Sequence, residues 1–570
     1  MTNTASGQRG APPRLAARVA AASRGRGRLT STFRRAALAA LCVMAAASSG
    51  GAQGRATYTN PVAAGDFPDP TVIRVGGDYW ATATTSEWGP EYPILHSRDL
   101  VNWEAVGVIF KKRPAWAVGS FWAPELVHDR GRFFAYYVAR KRGGPLCVAV
   151  ATAPHPQGPY TDRGPMICQK VGSIDPFLAV DERGRRFLFW KEDGNSVRKP
   201  TIVWVQPLSA DGTRLVGRRR EMMRNSQPWE KHATLPYGDL IEGPAIVRRG
   251  GWFYIFYSGN FCCPREGGYA RGVARSRSLL GPWEKNPANP ILAGNDDWRC
   301  PGHGTVVEDA GGRHWLLYHA IHPKDSVYVG RQALLDEVTW GSDDWPVVNG
   351  GRGPSASADA PAAARTQESA RGFYEEFTGA ALDPLWQWPG ANVPIYRIER
   401  GQLVITPKGS ARRNPAAAVI ARPTTSGDYV ATTVIDLRGM RGTETAGLSA
   451  YGDADNALGV SVDRRGRTVL WRREKKALKS NAVPGPANTQ PGAPDVIHLR
   501  MTAREGHLYR FAASADGVTW RDLGGEVDGA YLPPWDRGVR VALVAGGARG
   551  AAGRFDSLRV EPSRQGRAGL

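Results

Sequence analysis

Five short aromatic segments, each entered from a charged or glycine-rich turn, recur along the first two thirds of the chain: DYWAT (78–82), RFFAYY (132–137), RFLFW (186–190), WFYIFY (252–257) and HWLLY (314–318). They are spaced by roughly 50–65 residues. Three are followed by a second short apolar segment, ILHS (94–97), CVAVA (147–151) and GVARS (272–276), and then by a similar outer turn, SRDLVNW (97–103), APHPQGPY (153–160) and SRSLLGPW (276–283). No long amphipathic helical pattern interrupts them. A unit of this length and strand content cannot bury its own faces, and stacking copies radially does. The repeat predicts a five-bladed β-propeller over residues 56–349.

About ten residues upstream of each aromatic segment, at one register, stand Asp69 (FPDP), Trp122 (FWAPE), Asp175 (SIDPF), Glu242 (IEGP) and His303 (PGHG). If the strand before each aromatic one is the innermost of its blade, these five side chains converge on the central axis. Taken singly, each has an ordinary explanation: Asp-Pro and Glu-Gly-Pro are turn elements, and a lone Trp or His belongs to a core. Their coincidence at one register changes this. Gathering three carboxylates in apolar, proline-flanked settings is costly. Glycoside cleavage needs such a set: an acid for the leaving oxygen, a carboxylate for water or the anomeric carbon, and a third to tune the acid.

Residues 350–372 are small, polar and proline-containing, a linker composition. Beyond them, 373–562 holds further strand-like runs, including QLVIT (402–406), TVLW (468–471), HLYRF (507–511) and GVRVALV (538–544). These predict an antiparallel β-sandwich of the lectin-like, jelly-roll kind. The fold class is thus all-β, a propeller followed by a sandwich. Three roles fit the sandwich equally: binding polysaccharide, covering the propeller mouth, or stabilising the first domain.

The first 53 residues hold eight Arg and no acid, and an apolar run AALAALCVMAAA (36–47) follows Arg34-Arg35. This reads as a secretory signal, too short to span a membrane comfortably, and predicts a secreted or periplasmic protein with no membrane contact once the signal is removed. The eight arginines account for part of the formal charge of +21. No nucleic-acid motif or basic stripe interleaved with aromatics is present. Outside the signal, five cysteines remain, with no CxxC pair for zinc. An oxidising compartment would permit Cys147–Cys168 and a bond from Cys262 or Cys263 to Cys300.

The segments GDFPDPTVI (65–73), SFWAPEL (120–126), GSIDPFL (172–178), LIEGPAI (240–246) and PGHGTVV (301–307) together resemble glycoside hydrolase family 43 over nearly all of 56–349. The resemblance implies an inverting mechanism with Asp69 as general base, Glu242 as general acid and Asp175 raising and orienting the acid. Inversion calls for acid and base roughly 6.5–9.5 Å apart. It also implies sugar contacts from Trp122 and from Arg331, and a weak link from His303, through water, to a structural calcium; no other cofactor is implied. Related fructan-cleaving propellers use a nucleophile and carry a Glu-Cys step at the acid, where this chain has Glu242-Gly243. The leading expectation is an exo-acting α-L-arabinofuranosidase or β-xylosidase on arabinose- or xylose-containing plant polysaccharides or oligosaccharides. The alternatives are an endo-arabinanase, a non-catalytic carbohydrate-binding protein, and a cell-surface interaction protein.

Overall fold

The computed structural model describes residues 56–563 except 232–239, 263–266, 325, 368–371, 409–413, 486–493 and 549. The sequence-predicted signal at 1–53 lies outside the described residues. Five four-stranded antiparallel sheets follow one another along the chain. Their innermost strands are Thr71–Val75, Ala117–Asp129, Ser173–Val180, Ile241–Arg249 and Arg299–Glu308. Each touches the next, and the fifth touches the first, closing a ring of five blades.

The aromatic segments are the second strands: Asp78–Thr82, Arg132–Lys141, Arg186–Glu192, Trp252–Gly259 and His314–Ile321. Their apolar runs are continuous because a blade is covered on both faces, as in any sheet sandwiched between layers. In blade 2, Ala135 and Tyr137 face blade 1, packing with Tyr92 and Ile94. Phe134 and Tyr136 face blade 3, packing with Leu188 and Trp190. Blade 4 repeats this: Phe253, Ile255 and Tyr257 join Phe187 and Phe189 of blade 3, while Tyr254 and Phe256 join Leu316 and Tyr318 of blade 5.

Ring closure is achieved by the chain that precedes blade 1. Tyr58, Val62 and Phe67 share a core with Val307, Trp315 and Leu335 of blade 5. The Asn60 side chain donates to Leu335 O and accepts from Leu335 N, at 3.0 and 2.9 Å. Residues 350–372 do more than link. Ser357–Asp359 forms a two-stranded sheet with Thr57–Thr59, residue Tyr58 opposite Ala358.

The second part is a sandwich of two antiparallel sheets. One contains Gln402–Thr406, Tyr429–Asp436, Val496–Arg504, Leu508–Ser514 and Gly553–Pro562; the other contains Ala418–Pro423, Thr445–Tyr451, Ala457–Asp463, Thr468–Glu474 and Arg540–Gly546. Alternation selects the face turned inward: Ile497, Leu499, Met501 and Ala503 enter the shared core and the residues between them do not. The sandwich docks on the propeller through Trp388–Pro389, which pairs with Trp88–Gly89 of blade 1.

Cys147 and Cys168 are bonded, tying the third strand of blade 2 to the segment entering blade 3. The expected second bond to Cys300 is not formed. Cys300 is a free, buried thiol whose Sγ donates to Gly267 O, while Cys262 is engaged in a disulfide elsewhere. The bulged start of the fifth inner strand turns Cys300 inward instead, beside Leu240, Tyr269 and Ile321.

Glu125, on the inner strand of blade 2, is buried and accepts one hydrogen bond, from Thr71 Oγ1 at 2.8 Å. Burial pushes its carboxyl up to about 8, with the Thr71 bond opposing weakly. An unfolded chain ionises it in the usual carboxylate range, so the fold favours the protonated form. The associated stability is complete below that range and is lost as pH rises through about 8. A Glu125→Gln variant should therefore show a flatter fall in Tm between about pH 5 and about pH 9 than the native chain; parallel profiles by calorimetry would contradict this.

Candidate active site

Prolines set the geometry of the site. Pro70, Pro124, Pro176 and Pro244 stand at or just before the inner strands, where a residue lacking an N–H interrupts the ladder and favours a bulge. The register shifts between Trp122 and Glu125, Ile174 and Phe177, and Glu242 and Ala245 are these bulges in blades 2 to 4; blade 5 has another between Gly302 and Gly304, and the ladder of blade 1 is regular, with Asp69 just ahead of it. Left-handed backbone accompanies them, with φ of 52° at Asp69, 56° at Asp175 and 59° at Gly243. For a non-glycine residue that conformation costs about 1–3 kcal/mol and is retained where function requires it. Gly243 has a second constraint, since a Cβ there would lie 3.0 Å from the His303 ring. The bulges turn the side chains toward the axis.

All six residues singled out from sequence line one cavity of about 470 Å³: Asp69, Trp122, Asp175, Glu242, His303 and Arg331. Asp69 Oδ1 lies 2.9 Å from Arg331 Nη1, and Oδ2 accepts from Thr84 Oγ1 at 2.7 Å. Burial alone would raise this carboxyl; the Arg331 guanidinium overrides it and holds Asp69 well below the usual carboxylate range. The Asp69 N–H donates to His319 Nδ1 at 3.0 Å. Burial brings that imidazole down to about 4, so the ring is neutral and carries its proton on Nε2.

Glu242 accepts from Lys191 Nζ at 2.6 Å and from the Tyr269 hydroxyl at 2.8 Å. Lys191 also pairs with Asp193 at 3.0 Å. Asp175 accepts from Gly243 N at 3.0 Å. Its carboxyl is raised well above the ordinary range, by burial first and by the Glu242 charge second. Asp175 therefore favours its protonated form.

Arg331 is buried and paired, not a solvated strand arginine. His303 sits with Nδ1 3.6 Å from Asp69 Oδ1, and burial lowers its pKa. The donors around it do not suit calcium, which takes six to eight oxygens. Its carboxylate neighbour is already committed to a guanidinium, and among the described residues no three His, Cys, Asp or Glu side chains gather as a metal cage.

Several site residues were not found from sequence. Lys191, His319 and Ser258, whose Oγ accepts from His303 N at 3.0 Å, each directly follow the aromatic run of a second strand, after Trp190, Tyr318 and Tyr257. A polar residue at that register was a readable signal. Trp535 and Asp536 had none. They come from the sandwich, yet line the cavity, with Trp535 edge-on to Trp122 at 5.8 Å and Arg331 Nη2 donating to Asp536 O at 3.2 Å.

The family model for glycosyl hydrolases family 43 matches residues 58–346, and that for the beta xylosidase C-terminal concanavalin A-like domain matches 374–560. The chain belongs to glycoside hydrolase family 43 and is a glycoside hydrolase. It is 30% identical over 509 residues to Xylosidase/arabinosidase 43B of Humicola insolens, covering 83% of this chain and 90% of that one. It is 27% identical over 537 residues to the Non-reducing end alpha-L-arabinofuranosidase BoGH43B of Bacteroides ovatus, covering 86% and 92%. The GH43 BlXynB protein from Bacillus licheniformis shares the fold, with a TM-score of 0.75 at 24% identity over 89% of this chain and 100% of that one.

Replacing Arg331 by Met should let burial dominate at Asp69. Its pKa then rises, and the acidic limb of the pH dependence of kcat/KM moves to higher pH. An unmoved limb would show that Asp69 ionisation does not govern the rate.

Proposed function

We propose that this enzyme removes single terminal α-L-arabinofuranosyl or β-D-xylosyl units from plant polysaccharide or its oligosaccharides, with inversion. The observation that carries the exo reading is the Trp535–Asp536 turn, which walls one side of the cavity with a residue from the second domain. A propeller mouth open on both sides would admit a continuous polymer; a mouth walled on one side favours a chain end. The names of the Humicola and Bacteroides relatives accord with this reading.

In the proposed reaction Asp69, kept ionised by Arg331, takes a proton from water as its oxygen attacks the anomeric carbon. The bond to the leaving oxygen breaks as the protonated form of Glu242 gives that oxygen its proton. Asp175, whose carboxyl burial raises, stands beside Glu242 and accepts from Gly243 N, which orients the acid. Trp122 offers a face for the sugar, and its indole N–H is buried without a partner among the described residues. We also place the enzyme outside the cytoplasm. The Cys147–Cys168 bond suits an oxidising compartment, and among the described residues no helix is long and apolar enough to cross a membrane.

The test uses nitrophenyl α-L-arabinofuranoside and β-D-xylopyranoside, xylobiose, and linear arabinan. The native enzyme should release only monosaccharide, and the Glu242→Gln variant should lose about 10²–10⁴-fold in rate on xylobiose. Proton NMR during turnover should show the first-formed sugar with inverted anomeric configuration. A retained product would remove Asp69 from the role of base, and long oligosaccharides from arabinan would make the enzyme an endo-arabinanase.

A further inference from the structure

The charged groups lining the cavity do not balance. Among its carboxylates, Asp69 is matched by Arg331, Glu242 and Asp193 by Lys191, and Asp536 by Arg537 at 2.6 Å. Asp175 is buried beside Glu242 and keeps its proton. Two cations remain, Arg140 and Arg198, and neither has a carboxylate partner among the described residues. Both are exposed, and neither guanidinium donates a hydrogen bond to a described residue.

Their position follows from the direction of the reaction. Water enters on the side of Asp69, in blade 1. The leaving oxygen departs on the side of Glu242, which is held by Lys191 of blade 3. The wall there is the 193–198 segment that joins the second and third strands of blade 3, and it carries Arg198; Arg140 is the penultimate residue of the second strand of neighbouring blade 2. The same wall holds Asn195 Oδ1, a buried acceptor with no donor among the described residues and suited to a sugar hydroxyl.

We infer that the leaving-group side of the cavity is an anion-accepting subsite, in which Arg140 and Arg198 receive the carboxylate of a uronic acid carried by the departing sugar. The inference rests on the glycosidase reading above and names its substrate class: acidic, uronate-bearing oligosaccharides. Planar guanidinium forks match a carboxylate in two-point geometry, which no neutral pentose offers. Partial exposure makes the attraction sensitive to salt.

The experiment compares kcat/KM of the full chain for xylobiose with that for a xylosyl-xylose whose reducing-side xylose carries glucuronic acid. It is run at low and high ionic strength, for the native enzyme and for R140Q/R198Q. The ratio of acidic to neutral substrate is the readout, so loss of folded enzyme, which scales both rates, cancels. The native ratio should be roughly ten-fold at low salt and shrink at high salt, and it should approach one in the double variant. A native ratio near one, or a ratio the double variant leaves unchanged, overturns the inference while the glycosidase reading stands. Hydrolysis of neither xylosyl substrate overturns the inference, and if nitrophenyl α-L-arabinofuranoside and β-D-xylopyranoside are also left intact, the glycosidase reading falls with it.

Discussion

The mouth of this molecule depends on how one buried carboxylate is satisfied. Asp66, three residues before Asp69, accepts from Arg331 N at 3.2 Å, from Gly538 N at 3.0 Å and from Arg540 Nη2 at 2.9 Å. The first donor belongs to blade 5, the other two to the sandwich. A buried charge stripped of its partners destabilises strongly, so the sandwich and the last blade are held to the first by the same two oxygen atoms. Arg331 is thereby fixed at its backbone by Asp66 and at its guanidinium by Asp69. The position and ionisation of the residue assigned as base therefore derive from a contact between domains. Of the three roles open to the sandwich from sequence, covering the mouth and stabilising the propeller are one arrangement.

A second constraint comes from the bulges. Inner strands of a propeller would run smoothly toward the axis, with alternate side chains turned to neighbouring blades. In blades 2 to 5, interrupting the ladder with proline and left-handed backbone redirects a side chain into the cavity, and Asp69 reaches it from just ahead of a regular ladder in blade 1. The Glu242-Gly243 step shows how local this is. The position after Glu242 must take a positive φ, come close to the His303 ring, and present its N–H to Asp175, and glycine meets all three.

The blades and the carboxylates were legible in the sequence because both are periodic. Aromatic second strands recur with the blade, and Asp69, Asp175 and Glu242 hold one register ahead of them. Residues that act from the second strands, Lys191 and His319, shared that periodicity but were hidden in apolar runs that read as core. What had no period could not be read. Trp535, Asp536 and Arg540 reach the site from more than 460 positions after Asp69, and nothing local marks them. Cys300 illustrates the same limit: pairing was reasoned from the number of cysteines, whereas the direction of the thiol is set by a bulge in its strand.

The strand that closes the ring has a consequence for the order in which the molecule is made. Thr57–Thr59 leaves the ribosome at the start of the folded chain, and its partner Ser357–Asp359 follows only after all five blades. Tyr58 and Ser357, joined by a 2.8 Å hydrogen bond, are 299 residues apart. Until blade 5 emerges, the nascent propeller is an open arc whose first blade exposes an apolar face, and Ser357–Asp359 then pairs with Thr57–Thr59 as the last strand of the seam. The long loop that must close before these contacts form makes this the slow end of assembly. The completed ring is also handed directly to the sandwich, which is synthesised next and covers the seam.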